Sequence, residues 1–362
     1  MQPDYSRQLL LKEIGADGQA RLANGRVLIV GAGGLGSPVL QYLAGAGVGH
    51  LGIVDADTLD ASNLHRQPIY ALADVGKPKV DLARAAVMAI NPTVAVETHA
   101  ARFTADNALE LVRAYDVVVD CSDNFRTKFL INDAAVLAQR PAVFASVYQY
   151  EGQLQVYKPE PGHACLRCLW PDATADGVVG NCAEAGVLGP VPGTFGSLQA
   201  LLTLKILLGL PGQLGGELLL IDFTNFSNVK LKAPRRNACT APACSLVRDI
   251  PREDPTIEIA LPSLAAAAAR SFEVIDIRTA EEVAAKPAKV RHIAMPILLA
   301  NPELLSHAGR YMLVCASGKR SLATARELRK RGFEVHSLAG GLQSLHRSAE
   351  PQNHPTTESS SR

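Results

Sequence analysis

Several groups of residues have the types and spacing to do chemistry. Tyr311-Met312-Leu313-Val314-Cys315 reads as a strand ending in a thiol, and Ala316-Ser317-Gly318-Lys319-Arg320-Ser321 turns from it into a helix. Free N–H dipoles at that helix start and the Arg320 cation favour thiolate over thiol. Four residues separate Cys315 from Arg320. That loop is tighter than the one cysteine-dependent phosphatases wrap around a phosphate, and it suits a single sulfur atom. Cys182 lies in Gly180-Asn181-Cys182-Ala183-Glu184-Ala185-Gly186. A glycine-flanked loop is a poor place for a core thiol and a good one for a mobile nucleophile. Cys165-x-x-Cys168 is matched by Cys239 and Cys244, four residues apart in the intervening count. Two such pairs suggest a tetrahedral zinc site clipping distant loops together, with a redox C-x-x-C as the other reading.

A second constellation points to a nucleotide. Val27-Leu28-Ile29-Val30 reads as a buried strand, and Gly31-x-Gly33-Gly34-x-Gly36 follows it into a helix. Gly31 permits the turn, Gly33 and Gly34 let a phosphate approach the backbone, and Gly36 lets helix and strand pack closely. Leu51 to Val54 makes the next strand and ends at Asp55, where a ribose hydroxyl would be held. The motif alone fits NAD or ATP. Asn63, Arg66 and Lys79 lie in the following loop and helix start, where they could hold phosphate oxygens. Asp116-Val117-Val118-Val119-Asp120 is another buried strand, and Asp120, Asp123 and Asn124 stand at its end. Asp123 is the preferred Mg²⁺ ligand, since Mg²⁺ takes one or two carboxylates plus phosphate oxygens. Asp120 could equally cap the next helix.

The elements that must position these residues alternate. Strands are expected at 27–30, 51–55, 94–98, 116–120 and 142–146, and helices at 37–46, 79–90, 105–113 and 126–138. This rhythm predicts an α/β fold with a parallel, Rossmann-like sheet. Residues 154–157 and 218–222 read as strands of an antiparallel extension. A Gly/Pro-rich stretch from Gly177 to Gly196 lies between them, followed by a helix from Ser197 to Leu208. Two short helices precede the first strand, and Arg7 on the first reads by itself as a solvated surface residue. Domain limits are expected at 1–248, with a proline-bearing linker at 249–256. A smaller α/β domain should occupy 257–347, with strands at 257–259, 273–276, 311–315 and 334–337 and helices at 263–269, 321–331 and about 341–346. The polar tail 348–362 should be disordered.

Composition narrows the class. The 362 residues are 48% apolar and 20% charged, enough to bury a sizeable core in two domains. A net charge of +1 argues against a nucleic-acid surface. No apolar run is long enough to span a membrane and no secretory leader is evident, so a cytoplasmic protein is expected. The seven cysteines, an odd count, cannot all pair internally.

At this point the residues resemble known families. Gly31-x-Gly33-Gly34-Leu35-Gly36, Asp55-x-Asp57, Ser62-Asn63-Leu64-His65-Arg66-Gln67, Gly76-Lys77-Pro78-Lys79, Asp120-Cys121-Ser122-Asp123-Asn124, Cys165-x-x-Cys168 and Asn181-Cys182 to Pro190 are similar to motifs of the MoeB/ThiF family of ubiquitin-activating-type adenylyltransferases. This likeness covers residues 1–245. Residues from about 256 to 347 resemble a rhodanese domain, carried by Cys315-x-x-Gly318-x-Arg320-Ser321. Two stretches depart from the rhodanese pattern: Val290 to Pro296 replaces a usual Gly-His-Ile-Pro-Gly-Ala type run, and the helix after Gly340-Gly341 lacks its usual Trp.

The resemblance implies ATP and Mg²⁺ at the glycine loop. Gly34 would contact the nucleotide, Asp55 the ribose, and Asn63, Arg66 and Lys79 the phosphates, with Ser62, Leu64, His65 and Asn124 around them and Asp123 on Mg²⁺. Arg7 would reach across a homodimer into the partner's ATP site. Cys165, Cys168, Cys239 and Cys244 would bind Zn²⁺. The substrate would be the C-terminal Gly-Gly of a β-grasp, ubiquitin-like sulfur-carrier protein. Its adenylate would receive sulfur from a Cys315 persulfide beside Arg320, itself charged by a cysteine desulfurase or thiosulfate. Cys182 would form a transient thioester or acyl-disulfide. Molybdenum cofactor biosynthesis is the favoured setting. Thiamine, cysteine or tRNA thiolation would use the same chemistry, and an NAD-dependent oxidoreductase or a non-catalytic carrier-binding scaffold are remote alternatives.

Overall fold

The computed structural model describes residues 3–171, 186–237 and 256–347, together with Cys239, Cys244, Val247 and Ile250. Cys182, most of the expected linker and the expected tail lie outside the described residues. The chain divides into two compact units, each with its own sheet.

The first unit is built on β1 (Arg26–Val30), β2 (His50–Val54), β3 (Ala95–His99), β4 (Val117–Asp120), β5 (Ala142–Tyr148), β6 (Glu151–Tyr157), β7 (Glu217–Asp222) and β8 (Ser227–Lys232). Their spatial order is β3-β2-β1-β4-β5-β6-β7-β8. The first five are parallel, and β6, β7 and β8 extend the sheet antiparallel. Side chains alternate between faces along a strand. Val27 and Ile29 accordingly join one core with Val117 and Val119, while Leu28 and Val30 join the other with Val118. Continuous apolar runs are what a strand covered on both faces requires.

Helices α1 (Ser6–Leu9), α2 (Gly15–Asn24), α3 (Gly36–Gly45), α4 (Lys79–Ile90), α5 (Ala108–Arg113), α6 (Phe125–Ala138), α7 (Leu166–Leu169) and α8 (Pro190–Leu207) belong to this unit. The expected strands and helices are found within a few residues, with one material difference. Helix α8 begins at Pro190, inside the stretch read as a Gly/Pro-rich loop. Pro190 and Pro192 occupy the first turn, where a missing N–H costs little. Gly189 and Gly196 serve close packing: an added Cβ would lie 2.2 Å from the His65 carbonyl oxygen and 2.3 Å from that of Leu35. Strand β8 was not anticipated. It is exposed throughout and carries Lys230 and Lys232, as suits a sheet edge. Among the described residues no helix is long and apolar enough to cross a membrane.

The second unit holds β9 (Glu258–Ile259), β10 (Glu273–Asp276), β11 (Arg291–His292), β12 (Arg310–Val314) and β13 (Glu334–Leu338), parallel and in the order β11-β10-β12-β13-β9. Helices α9 (Leu264–Ala269), α10 (Ala280–Ala285), α11 (Met295–Ala300), α12 (Lys319–Lys330) and α13 (Gly341–Arg347) flank it. The six-residue helices α10 and α11 and the two-residue β11 escape sequence patterning because each is too short to show a period.

Candidate active site

In the first unit β1 is flanked by β2 and β4, so the strand order reverses at β1 and opens a crevice at the carboxyl ends of β1 and β4. Gly31 leaves β1 with φ +101°, and an added Cβ would meet the Cys121 carbonyl oxygen at 2.6 Å. Only glycine fits there. An added Cβ on Gly36 would lie 2.3 Å from the Gly31 carbonyl oxygen, so the α3 start closes directly on the loop. Gly34 is packed against Pro192 and the Arg66 carbonyl, whereas the nearest atom above Gly33 is Gln67 Nε2 at 3.5 Å.

Asp55, half-buried just past β2, accepts from Ala32 N–H and Asp57 N–H at 2.8 Å each. Burial raises its pKa above the usual carboxylate range, against the pull of those two N–H groups. Lys79, at the start of α4, is buried with its Nζ 3.0 Å from Asp57 Oδ2. Tyr70 Oη donates to the Ala32 carbonyl at 2.7 Å, fixing the loop from the other side. Asn63 is buried in a short 3₁₀ turn and forms a capping box with Asp60, while Ser62 and His65 are exposed and Leu64 is half-buried. Arg66 Nη1 donates to the Ser62 carbonyl and contacts His65 Nε2, both at 2.9 Å.

At the end of β4, Asp120 is fully buried. Its carboxylate pairs with buried Lys128 Nζ and accepts from Ser122 Oγ and N–H. Lys128 also donates to the Ala145 carbonyl at 2.5 Å. The alternative reading of Asp120 as a helix cap is corrected: Asn124 Oδ1 accepts from Thr127 N–H at 2.8 Å and is the cap of α6. Asp120 is instead consumed by Lys128, one helical turn further on. Asp123 lies exposed beyond this buttressed turn, between β4 and α6.

The four cysteines expected to share a metal converge. Cys165 Sγ lies 3.8 Å from Cys168 and 3.9 Å from Cys239 and Cys244, and all four are buried. A tetrahedron of thiolates around an ion at about 2.3 Å has edges of about 3.8 Å. The spacing therefore fits a metal ion, and a disulfide, with its bond near 2 Å, is not formed. The hydrogen bond from Cys165 holds the Cys168 thiol below its ordinary range, and that same bond together with burial pushes Cys165 up. Arg235 Nη2 donates to Cys239 Sγ at 3.5 Å.

In the second unit Cys315 follows central strand β12 and is fully buried. Gly318, in the left-handed region at φ +85°, caps α12. Ser321 N–H and Oγ lie 3.5 Å from Cys315 Sγ. The Cys315 and Ala316 carbonyls accept from Leu342 and Gln343 N–H. Arg320, in the first turn of α12, forms a two-pronged ion pair with Glu282 at 2.8 and 2.5 Å.

The fold thus gathers Gly31, Gly33, Gly34, Gly36, Asp55, Asn63, Arg66 and Lys79 around the β1 and β2 ends, with the Asp123–Asn124 turn at the neighbouring β4 end. It gathers Cys165, Cys168, Cys239 and Cys244 at a second place, and Cys315 with Arg320 in the other unit. Arg7 is exposed on α1. Sequence reading missed Asp57, Gln67, Lys128 and Glu282 as partners of these groups. Asp57 and Gln67 do stand inside the motifs that carried the family resemblance. Lys128 and Glu282 gave no signal, since their partners are set by the tertiary fold.

Comparison with known proteins places the chain among relatives. A model of the ThiF family matches residues 5–242. A sulfur carrier protein adenylyltransferase of Thermus thermophilus is 49% identical over 244 residues, 66% of this chain and 89% of the relative. A protein of Anopheles gambiae named adenylyltransferase and sulfurtransferase MOCS3 is 38% identical over 385 residues, covering 96% of this chain and 87% of the relative. The Culex quinquefasciatus protein of that name is 48% identical over 243 residues, 67% of this chain and 55% of the relative. Among solved structures, Escherichia coli MccB matches with a TM-score of 0.58 at 22% identity, over 69% of this chain and 74% of its own, a likeness of fold. With the crevice, its glycine loop and a family model spanning most of the first unit in agreement, the chain belongs to the ThiF family.

Proposed function

We propose that this chain is an adenylyltransferase and sulfurtransferase that activates a ubiquitin-like sulfur-carrier protein for molybdenum cofactor biosynthesis. One observation carries the reading: the likeness to the Anopheles adenylyltransferase and sulfurtransferase runs through 96% of the chain, across both units. ATP lies along the Gly31–Gly36 loop, with Asp55 on the ribose and Asn63, Arg66 and Lys79 on the phosphates. Ser62, Leu64, His65 and Asn124 line the same crevice. Mg²⁺, held by Asp123, supplies further charge neutralisation at the phosphates.

The carboxylate of the carrier's C-terminal Gly-Gly attacks the α-phosphorus and pyrophosphate leaves. A carboxylate is already a nucleophile, so the protein's task is positioning and charge neutralisation rather than proton abstraction. Lys79 is suited to it: buried and paired with Asp57, it enters the crevice as a pre-oriented cation. The terminal sulfur of a Cys315 persulfide then attacks the acyl carbon and AMP leaves. Arg320 and the Ser321 N–H stabilise the sulfur anion before it attacks. The attack leaves the carrier as an acyl disulfide. A thiolate, Cys182 or an external thiol, then attacks its cysteine-side sulfur, the S–S bond breaks, and the carrier thiocarboxylate leaves with the electron pair. An external thiol reduces the disulfide left behind. Zn²⁺ on Cys165, Cys168, Cys239 and Cys244 is structural, since four protein sulfurs leave no open position for substrate. Arg7 acts across a homodimer. The persulfide comes from a cysteine desulfurase or from thiosulfate, and the work is done in the cytoplasm.

The test is to incubate the protein with Mg²⁺-ATP, a persulfide source and purified carriers from the molybdenum cofactor, thiamine, cysteine and tRNA-thiolation routes. Mass spectrometry should find an oxygen-to-sulfur exchange at the C-terminus of the molybdenum cofactor carrier. Exchange only on another carrier would move the pathway, and no carrier-dependent pyrophosphate exchange at all would sink the reading.

A further inference from the structure

Charged residues at the carboxyl ends of β10 and β12 form a chain that ends on the Cys315 loop. Asp276, the last residue of β10, is buried and grips Arg278 through Nε at 3.0 Å and Nη2 at 2.6 Å. Arg278 Nη1 reaches the Glu282 carbonyl at 3.5 Å. Glu282 does two jobs. Its Oε2 accepts from Thr279 N–H at 2.9 Å, closing the capping box of α10, and both its oxygens hold the Arg320 guanidinium. Arg320 follows Lys319 in the first turn of α12, five residues beyond the thiol, and its bidentate partner lies 38 residues away in the chain.

The chemistry gives this pair a consequence. When the Cys315 thiolate attacks the outer sulfur of thiosulfate, a new S–S bond forms and the thiosulfate S–S bond breaks. Sulfite leaves with the electron pair and Cys315 keeps the sulfur as a persulfide. A thiolate and a dianion must share the cradle, so three negative charges meet there. Lys319 and Arg320 are the cations this loop supplies, and the second is already paired with Glu282.

We propose that Glu282 is a specificity-determining residue of the Cys315 site, withholding the Arg320 charge from small anionic sulfur donors. This rests on Cys315 being the sulfur-carrying thiol. Glu282 touches no reacting atom and acts through Arg320. Glutamine at this position keeps the capping geometry while removing the charge.

The experiment measures thiosulfate:cyanide sulfur transfer by the full chain. Glu282→Gln and Glu282→Ala should lower the KM for thiosulfate about fivefold, the effect of one partly screened ion pair, with kcat changed less than about twofold. The KM of these variants should also rise more steeply with ionic strength than that of the parent. Thr279→Ala removes the other side of the capping box and serves as the structural control: its unfolding midpoint should drop while its KM stays put. An unchanged or raised KM in folded Glu282→Gln would overturn the proposal. Cys315→Ala tests the underlying reading separately, because transfer that persists in it removes Cys315 as carrier whatever Glu282 does.

Discussion

At the scale of single residues, charge placement separates two neighbouring carboxylates. Asp120 and Asp123 stand three positions apart at the end of β4, one fully buried on Lys128 and one exposed. Replacing Lys128 with Met leaves the Asp120 carboxylate buried without its partner. That costs about 3–5 kcal/mol, which chemical denaturation should read as a large drop in the midpoint for the first unit. Asp123→Ala should leave stability within about 0.5 kcal/mol and abolish ATP–pyrophosphate exchange. Normal exchange in that variant removes the Mg²⁺ assignment. Glu282 makes a prediction about pH. The Arg320 hydrogen bonds lower its pKa to about 2, so its folded value lies below its unfolded one. Such a group stabilises above the unfolded carboxylate range, near 4.5, and that contribution is lost as pH falls from about 4.5 to about 2. Its partial exposure holds the effect to about 1 kcal/mol. Acid titration of Glu282→Gln should lack this component; an identical acid limb in both proteins would mean the pair is not formed in solution.

At the scale of elements, helix α8 carries the lesson about what sequence shows. Its glycines and prolines read as a loop because composition does not say what a glycine faces. Gly196 meets the Leu35 carbonyl, while an added Cβ on Gly193 meets nothing within 4 Å. Gly196→Ala should therefore destabilise by about 1–3 kcal/mol through overpacking against α3 and weaken ATP binding. Gly193→Ala, in the same helix, should stabilise by about 0.5–1 kcal/mol. Equal effects would mean that α8 does not pack on α3 in this way. The glycine loop, the buried valine strands and the Cys315 turn were legible because each is a local pattern: an apolar run, a turn chemistry, a helix start. Asp120–Lys128 was not, since an acid before a helix reads as a cap and Asn124 does that work. Arg320–Glu282 was not, because Thr279-x-x-Glu282 announces a helix start and nothing about a partner 38 residues on. The edge strand β8 was missed for its polarity, which is what keeps an exposed edge from pairing further.

At the scale of the whole molecule, the two sheets are enclosed by separate apolar cores: Val27, Leu28 and their neighbours in one unit, Ile275, Leu313 and theirs in the other. Units with their own cores unfold as their own cooperative transitions. The four converging cysteines lie wholly in the first, joining the α7 segment to the chain beyond β8. Where a metal ties such segments, its binding free energy is folding free energy. With the zinc we propose on these cysteines, treatment with a chelator should lower the transition of the first unit by many degrees and abolish pyrophosphate exchange. The second transition should stay in place, and the chelated protein should still move sulfur from thiosulfate to cyanide. The converse holds for Cys315→Ala: sulfur transfer is lost, while zinc content and pyrophosphate exchange match the parent. Calorimetry with metal analysis and the two assays reads all four quantities on the same samples. One transition that moves as a whole on chelation would make the units thermodynamically inseparable, and the division of labour drawn from their separate cores would fall with it.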